Sequence, residues 1–547
     1  MLACRDLTVD ARPGGPRLLE GVSAGFPAGG LHAIVGPSGS GKTTLIQALL
    51  RLKPATSGTV TLAGESLERT EQLAGQVGFA PQFSIAQPEF TVRETLRTAL
   101  RLHVSDKAIH AERLQRVLAD TGLAERADTR VGNLSGGQLR RLGLALEWVL
   151  DPAVLVCDEV TSGLDPRSEI EILDLLRTMQ TDSGKTILCI IHNLSALDRF
   201  DSVTVLNAGR LVFQGTPDRL RAETGISDFL HLYDALPAER PTPGADDETR
   251  TALPEPVVQP GLIRQTAVLL DRRLRLFYRD RSTLLLTLAI TLGFPCLVVI
   301  FALGGLMQPE GLALDRSAGF LERLREDLAY RIRAMETASL VTGLIMFQVI
   351  LLNLIASNTG SREIAAERKL YEKERLAGLH PDAYAWSKIV FCSVLAVLQG
   401  GWMAIFVKAV CGFPGPWTIQ TGLLALTTVA MTLTCLGLSA LTASSERASL
   451  LSVYLVGFQL PLSGVVLALP DALVWICRPF INAFWGWSGY LTSMRESGLY
   501  DAYRLHHDSW LASPLIAAGA LLVHALAGAA LAFYGCHQKR WDQASQT

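Results

Sequence analysis

The clearest chemistry in the chain lies in Gly36-Pro37-Ser38-Gly39-Ser40-Gly41-Lys42-Thr43-Thr44. Its G-x-x-x-x-G-K-[ST] spacing follows an apolar run, LHAIV, and opens a helical one, TTLIQALLR, the setting a phosphate loop requires. Glycines let the backbone wrap closely, so that amide N–H groups point at a β-phosphate. Lys42 supplies a point charge for the β and γ oxygens, and Thr43 a ligand for Mg²⁺. A chance glycine-rich turn before a helix explains this context poorly, and ATP with Mg²⁺ is the expected ligand.

A second piece, Val154-Leu155-Val156-Cys157-Asp158-Glu159, reads as a buried strand whose C-terminal end delivers two carboxylates. Asp158 is expected to hold Mg²⁺, directly or through water, and Glu159 to polarise the attacking water as general base. An apolar strand ending in acids carries little weight alone; following a phosphate loop in one α/β domain, it is specific. His192 ends another apolar run, TILCIIH. A lone histidine at a strand end is usually a polar terminus. Its place after the other two motifs points instead to a γ-phosphate contact that keeps Glu159 and water in line. Gln82, in GFAPQF, falls between the nucleotide motifs, where a glutamine could sense Mg²⁺ and the rest of the chain; by itself it would mean nothing.

The chain also holds a second glycine loop, Leu134-Ser135-Gly136-Gly137-Gln138, ahead of the helical run LRRLGLALEWVL. Ser135 and the Gly136 and Gly137 amides then sit at a helix N-terminus, a ready anion site. One triphosphate needs only one such cradle within a domain. The second makes sense if it serves a partner's nucleotide, with two copies packed head-to-tail so that each closes the other's site.

These motifs need a scaffold, and the composition supplies two. With 547 residues, 49% of them hydrophobic, and a mean hydropathy of +0.27, the chain is too long for one core and too apolar for an ordinary soluble enzyme. A net charge of -2 gives no reason to expect nucleic acid as a partner. Nine cysteines show no CxxC or Cys/His spacing of a zinc site, and Cys157 and Cys189, inside apolar runs, suit a reducing cytosol. The start, MLACRDLTVD, has no apolar run, so no cleavable secretory signal is expected.

Residues 1–235 alternate short β-rich runs with helical patterns, and LHAIVG, AVLVCDE and TILCIIH are continuously apolar. An α/β P-loop NTPase fold with a mainly parallel sheet is predicted. Residues 236–261, rich in proline and acids, read as a linker. Residues 262–547 form the second domain, predicted to be all-α with six transmembrane helices. It opens with a connecting helix at 262–281, and spans follow near 283–305, 338–358, 389–411, 419–442, 449–469 and 512–535, each long enough to cross a bilayer. Six spans put both ends of this half on one side, the cytosolic side if the first half is to meet nucleotide. The 361–388 loop carries Arg362, Arg368, Lys369, Lys373, Arg375 and Lys388, as the positive-inside tendency expects. The outer segment 306–337 is also rich in arginine, offset by its acids.

On these motifs, residues 1–235 resemble an ATP-binding cassette (ABC) nucleotide-binding domain: the phosphate loop at 36–43, Gln82, the signature 134–138, Asp158 and Glu159, Ser162-Gly163-Leu164-Asp165, and His192. The resemblance implies that Asp165 belongs to a loop coupling two sites across a dimer. The aromatic that this family often stacks on adenine is missing from ARPGGPRLL, so adenine contact must come from elsewhere. The order cassette first, membrane half second, resembles the ABCG (White) half-transporters, through Thr91–Leu96, the ERKLYEKERLAGLHPDAYAWSK stretch and FWGWSGYL at Phe484–Leu491. That implies an ABC-2 type permease that dimerises with a second half-transporter.

The 361–388 loop suits a coupling element, with Glu367 expected to pair with the basic helix around Arg272, Arg273 and Arg275. Lys408, near the outer end of span three, is expected to snorkel. The spans hold no proton relay, and Gln348, Asn353 and Gln459 are candidates either for an amide-lined path or for interhelical hydrogen bonds. A hydrophobic or amphipathic, lipid-like cargo is expected, exported across the inner or plasma membrane by a homodimer. A heterodimer is the rival within that class. An outer apolar stripe, Leu321, Leu324, Leu328 and Ile332, could gate, dock an envelope partner, or pack on its own chain. Trp485, Trp487 and Tyr490 suit an interfacial re-entrant segment, and Cys411 and Cys477 both face outward. The competing function is a non-transporting device in which ATP cycling moves the outer helix 319–336 and signals to the envelope partner.

Overall fold

Apolar runs too short for helices and buried on both faces assemble into a parallel sheet. The computed structural model describes residues 2–12, 14–82, 86–226, 228–235, 258–303, 320–465, 470–504 and 509–538. Its strands are β1 Leu2–Asp10, β2 Arg17–Phe26, β3 Leu31–Val35, β4 Ser57–Leu62, β5 Glu65–Ser66, β6 Val77–Ala80, β7 Val154–Cys157, β8 Thr186–Ile190, β9 Ser202–Asn207 and β10 Arg210–Gly215. They form a four-stranded sheet in the order β2-β1-β4-β5 and a six-stranded sheet in the order β10-β9-β3-β8-β7-β6. In the larger sheet β9, β3, β8, β7 and β6 run parallel, with Ala80 opposite Cys157 and Cys157 opposite Cys189. Only β10 is antiparallel to its neighbour. Parallel order puts the C-terminal ends of β3, β6, β7 and β8 on one edge, where ligands of open α/β sheets bind.

The chain divides into two units: one runs through Arg272 and takes in Lys369–Tyr384, the other comprises Arg273–Arg368 with Ala385–Gln538. The linker expected at 236–261 lies outside the described residues up to 257. The helix after it is Leu262–Arg279.

The first unit includes the charged helix Arg368–Leu376 from Lys369 onward. Tyr371 and Leu376 are buried there, Leu376 in the same apolar cluster as Leu45 and Phe79. Glu374 takes Arg272 in a bidentate pair, with Nη2 3.0 Å from Oε2. Within the second unit Glu367 takes Lys388 at 2.7 Å and its charge also acts on Arg273, which pairs with Glu363 at 2.8 Å. The basic helix thus pairs directly with Glu374 and Glu363, with Glu367 in the turn before Arg368 contributing charge to the second of these pairs.

Among the described residues, five helices are long and apolar enough to cross a membrane: Arg281–Ala302, Ala338–Gly360, Pro381–Cys411, Trp417–Leu441 and Pro514–His537. The run at 449–469 forms the shorter helix Ser445–Leu462, whose opening Ser-Glu-Arg and Pro461 dilute its apolar window; 466–469 lie outside the described residues. Trp417–Leu441 and Pro514–His537 pack backbone to backbone: a Cβ at Gly528 would lie 2.5 Å from the Leu433 carbonyl carbon. Such close approach lets van der Waals contact hold helices together where lipid removes the hydrophobic drive.

Of the two alternatives for the amides, the interhelical hydrogen bonds form. Gln348, Asn353 and Gln459 are fully buried and bridge helices: Asn482 donates to Asn353 Oδ1 at 2.8 Å, and Gln459 Oε1 accepts from Ala483 N at 3.0 Å. Lys408 does not snorkel but donates to the Phe413 and Gly415 carbonyls at 3.0 and 2.8 Å, because the turn after its helix offers acceptors nearer than water. The aromatic segment forms a short helix, Asn482–Thr492, with Trp487 and Tyr490 buried among neighbouring helices. Cys411 and Cys477 are free thiols. The outer stripe belongs to one helix, Phe320–Gly360, continuous with the second span. Leu328 and Ile332 are exposed on it, and the side chains of Leu321 and Leu324 lie outside the described residues.

Candidate nucleotide site

β3 ends at Val35 and the helix Lys42–Leu49 begins after the phosphate loop. The turn needs glycine at two places. Gly41 has φ +97°, and a Cβ at Gly36 would lie 2.2 Å from the Leu206 carbonyl oxygen. Lys42 Nζ donates to the Gly36 and Pro37 carbonyls at 2.8 and 3.0 Å. Burial pushes its pKa down, and the nearby charges of Glu159 and Asp158 push it back up. Gly36 N–H donates to the Tyr233 hydroxyl at 3.1 Å, a contact no motif announced.

Asp158 follows β7 and is buried; its N–H donates to the Ala80 carbonyl at 2.9 Å, across to β6. Burial, then the neighbouring Glu159 charge, raises its pKa to about 6, while the Thr43 hydroxyl donates to it and opposes the shift. One carboxylate oxygen, Oδ1, is buried without a partner, as is Ser40 Oγ. A cradle closed to Cβ, an ammonium, and unpartnered hydroxyl and carboxylate oxygens fit a triphosphate with a hard divalent ion.

Glu159 sits at φ +51°, in the left-handed region that a non-glycine residue seldom takes. That backbone turn aims its carboxylate between two other strand ends. Oε1 lies 2.8 Å from His192 Nε2, and Oε2 accepts from Gln82 Nε2 at 2.9 Å. One carboxylate thus gathers the residues after β6, β7 and β8, and the sheet order brings Lys42, Thr43, Asp158, Gln82 and His192 to one edge.

The second glycine loop stands apart. Ser135 caps the helix Gly136–Trp148 in a capping box, accepting from Gln138 N at 3.3 Å while Gln138 Oε1 accepts from Ser135 N at 3.1 Å. Nothing lies within 4 Å of the position a Cβ would take at Gly136. No hydrogen bond among the described residues joins 134–138 to the phosphate loop. Asp165 caps the helix Pro166–Ser183, accepting from Arg167 N, Ser168 N and the Ser168 hydroxyl at 3.1, 3.0 and 2.6 Å. The Ser168 hydroxyl leads in holding its pKa below the usual carboxylate range. Pro37, Ser38, Gly39 and Thr44 lie in the loop and the first helical turn.

One buried acid went unread. Glu147, within the apolar run LALEWVL, is held by the Phe79 amide and by Lys373. A lone acid inside an apolar helix face was the signal available.

The chain is similar to several known proteins. Residues 19–162 match the family described as ABC transporter, and residues 264–491 the family described as ABC-2 type transporter. The ABC transporter ATP-binding/permease protein Rv1747 of Mycobacterium tuberculosis is 29% identical over 87% of this chain, which spans 55% of that protein's length. The Nod factor export ATP-binding protein I of Burkholderia lata is 38% identical over 42% of this chain and 76% of its own. A solved structure of cbiO1 from Clostridium perfringens, part of the ABC transporter complex cbiONQ, is 28% identical over 41% of this chain and 90% of its own, with a TM-score of 0.38.

Proposed function

The chain belongs to the ABC transporter family, and from that membership we propose that it is an ATP-hydrolysing half-transporter exporting a hydrophobic or amphipathic substrate. The observation that carries the catalytic part is the Glu159 carboxylate, shared between Gln82 and His192 and adjacent to Asp158.

In this reading the glycine loop and Lys42 bind the β- and γ-phosphates of ATP. Thr43, Asp158 and Gln82 hold Mg²⁺, which when bound neutralises charge on the β and γ oxygens. Glu159 orients the attacking water and takes its proton. His192 and Gln82 fix the carboxylate from either side, so it is aimed before the nucleotide arrives. Adenine is held by residues other than a stacked aromatic.

The hydrogen bonds of Ser135 run to Gln138 and Leu139 of its own helix and, among the described residues, none joins this loop to the phosphate loop, which supports a reading in which Ser135, Gly136 and Gly137 serve the nucleotide of a second copy and Asp165 lies in the loop between the two sites. An identical partner is supported by the complete motif set in one chain. Export is supported by the relatives named for Nod factor export. A lipid-like cargo is supported by spans whose buried polar groups, apart from Lys388 and Lys408 near the ends of Pro381–Cys411, are amides and hydroxyls. The first unit and the C-terminus are assigned to the cytosol, and the spans to the inner or plasma membrane.

The test is a disulfide crosslink between Ser135→Cys and Ser38→Cys, co-expressed on separate copies and formed with ATP in lipid nanodiscs. A nucleotide-dependent crosslink supports the shared site; none at saturating ATP overturns it. The rival reading, a device signalling to an envelope partner, draws support from the helix Phe320–Gly360. Its 41 residues make a rod roughly 60 Å long. ATP-dependent accumulation of a fluorescent phospholipid in sealed inverted vesicles favours export over it.

A further inference from the structure

Glu147 lies near the C-terminal end of the helix that Ser135 caps, and it is almost fully buried, 4% exposed. Its two carboxylate oxygens face different ways. Oε2 accepts from the Phe79 amide of β6 at 3.1 Å, and Oε1 lies 2.7 Å from Lys373 Nζ. Phe79 stands three residues before Gln82, and its strand hydrogen-bonds to Asp158 through Ala80. Lys373 is also buried, 6% exposed, on the charged helix Arg368–Leu376. That helix is pinned a second time by Arg272 and Glu374. In sequence it lies between Ala338–Gly360 and Pro381–Cys411, two helices long and apolar enough to span a membrane. One carboxylate therefore touches three pieces: the helix headed by the signature loop, the strand leading to Gln82, and the insert from the membrane half.

We propose that Glu147 and Lys373 are positioning residues, a charge latch through which the insert sets the strand of Gln82 and the helix of Ser135. Fold stability alone does not call for charge here, since an apolar pair of similar volume is often at least as stable in a buried site. An ion pair sharing its carboxylate with a backbone N–H adds direction: displacement of Lys373 pulls on the group that holds Phe79. Displacement of β6 pulls on Lys373 in turn, because coupling between sites is reciprocal. This inference rests on the reading of the chain as an ATP-driven half-transporter.

The experiment is hydrogen exchange on the full chain in lipid nanodiscs, with and without ATP and vanadate. In wild type, trapping is expected to slow exchange in the phosphate loop and to alter it in the helices Ser445–Leu462 and Asn482–Thr492. In Lys373→Met and Glu147→Gln the phosphate-loop response is expected to remain, while the membrane-helix response falls by about fivefold or more. Glu147→Gln keeps the shape of the side chain and its acceptor for Phe79, so it guards against a folding defect in the other variant. Lys373→Arg, which keeps a cation against the Glu147 carboxylate and leaves its bond from Phe79 in place, is expected to retain the response, which a merely structural role would not require. Full membrane-helix response in Glu147→Gln or Lys373→Met overturns the latch and leaves the transport reading standing. Wild-type protein that turns over ATP with no response in its membrane helices overturns the transport reading and the latch with it.

Discussion

Replacing Glu159 with glutamine isolates proton abstraction from every other function of the site. The two side chains have the same shape. The glutamine carbonyl can still accept from Gln82 Nε2, whose bond to Glu159 is 2.9 Å. Its amide then faces His192 Nε2, which must present a lone pair there, and a neutral imidazole does so. The phosphate loop, Lys42, Thr43 and Asp158 make none of their recorded hydrogen bonds to Glu159, so nucleotide affinity should hold. Loss of a positioned general base costs about 10²–10⁴-fold in rate, or roughly 3–5 kcal/mol of barrier. Phosphate release from Glu159→Gln in nanodiscs should fall by that factor at saturating ATP and Mg²⁺, while a fluorescent ATP analogue binds as to wild type. Wild-type turnover at full occupancy would refute the base assignment. A loss of binding equal to the loss of turnover would instead show that Glu159 holds the nucleotide.

Other perturbations have expected outcomes. His192→Ala leaves Gln82 to orient the carboxylate alone, so turnover should fall less than in Glu159→Gln, by about 10²-fold at most, with nucleotide binding retained. His103 is buried, and burial lowers its pKa from 6.5 to about 4. Since the unfolded chain takes up this proton below 6.5 and the folded chain does not, stability present above that pH is lost as pH falls toward 4. The loss approaches about 3 kcal/mol, so His103→Gln should flatten the change in thermal midpoint between pH 7 and pH 5; an unchanged slope would count against a buried neutral imidazole. Gly528→Val places carbon against the backbone of Leu433 and Thr434. Overpacking of this kind costs about 1–3 kcal/mol or more, and size-exclusion profiles in detergent should show a lower yield of monodisperse protein.

Much of the nucleotide site was legible because its chemistry is local. A phosphate loop must put glycines and a lysine at fixed spacing between a strand and a helix, so Gly36–Thr43 declares itself within eight residues. β3, β7 and β8 were equally plain, since strands buried on both faces need unbroken apolar runs. The spans are long apolar stretches for the same reason. Less legible was anything decided by helical phase or by a neighbour distant in sequence. A run such as ERKLYEKERL shows charge but not which face is buried, so Glu374 as the direct partner of Arg272 was not legible in it. Lys408 looked like a snorkelling side chain because the carbonyls that hold it belong to a turn whose direction the composition does not encode.

From residue types and spacing alone come the nucleotide, the two-part architecture and the roster of reacting groups, each set by contacts over a few positions. Only the folded chain decided that the carboxylate of Glu159, through its left-handed backbone, collects Gln82 and His192 from separate strands. It also decided that Glu147, buried in an apolar helix, takes a lysine 226 positions away in sequence, as 373 less 147 gives. Parallel strand order and helix packing set those meetings, and both arise from burying many apolar side chains at once rather than from any short motif.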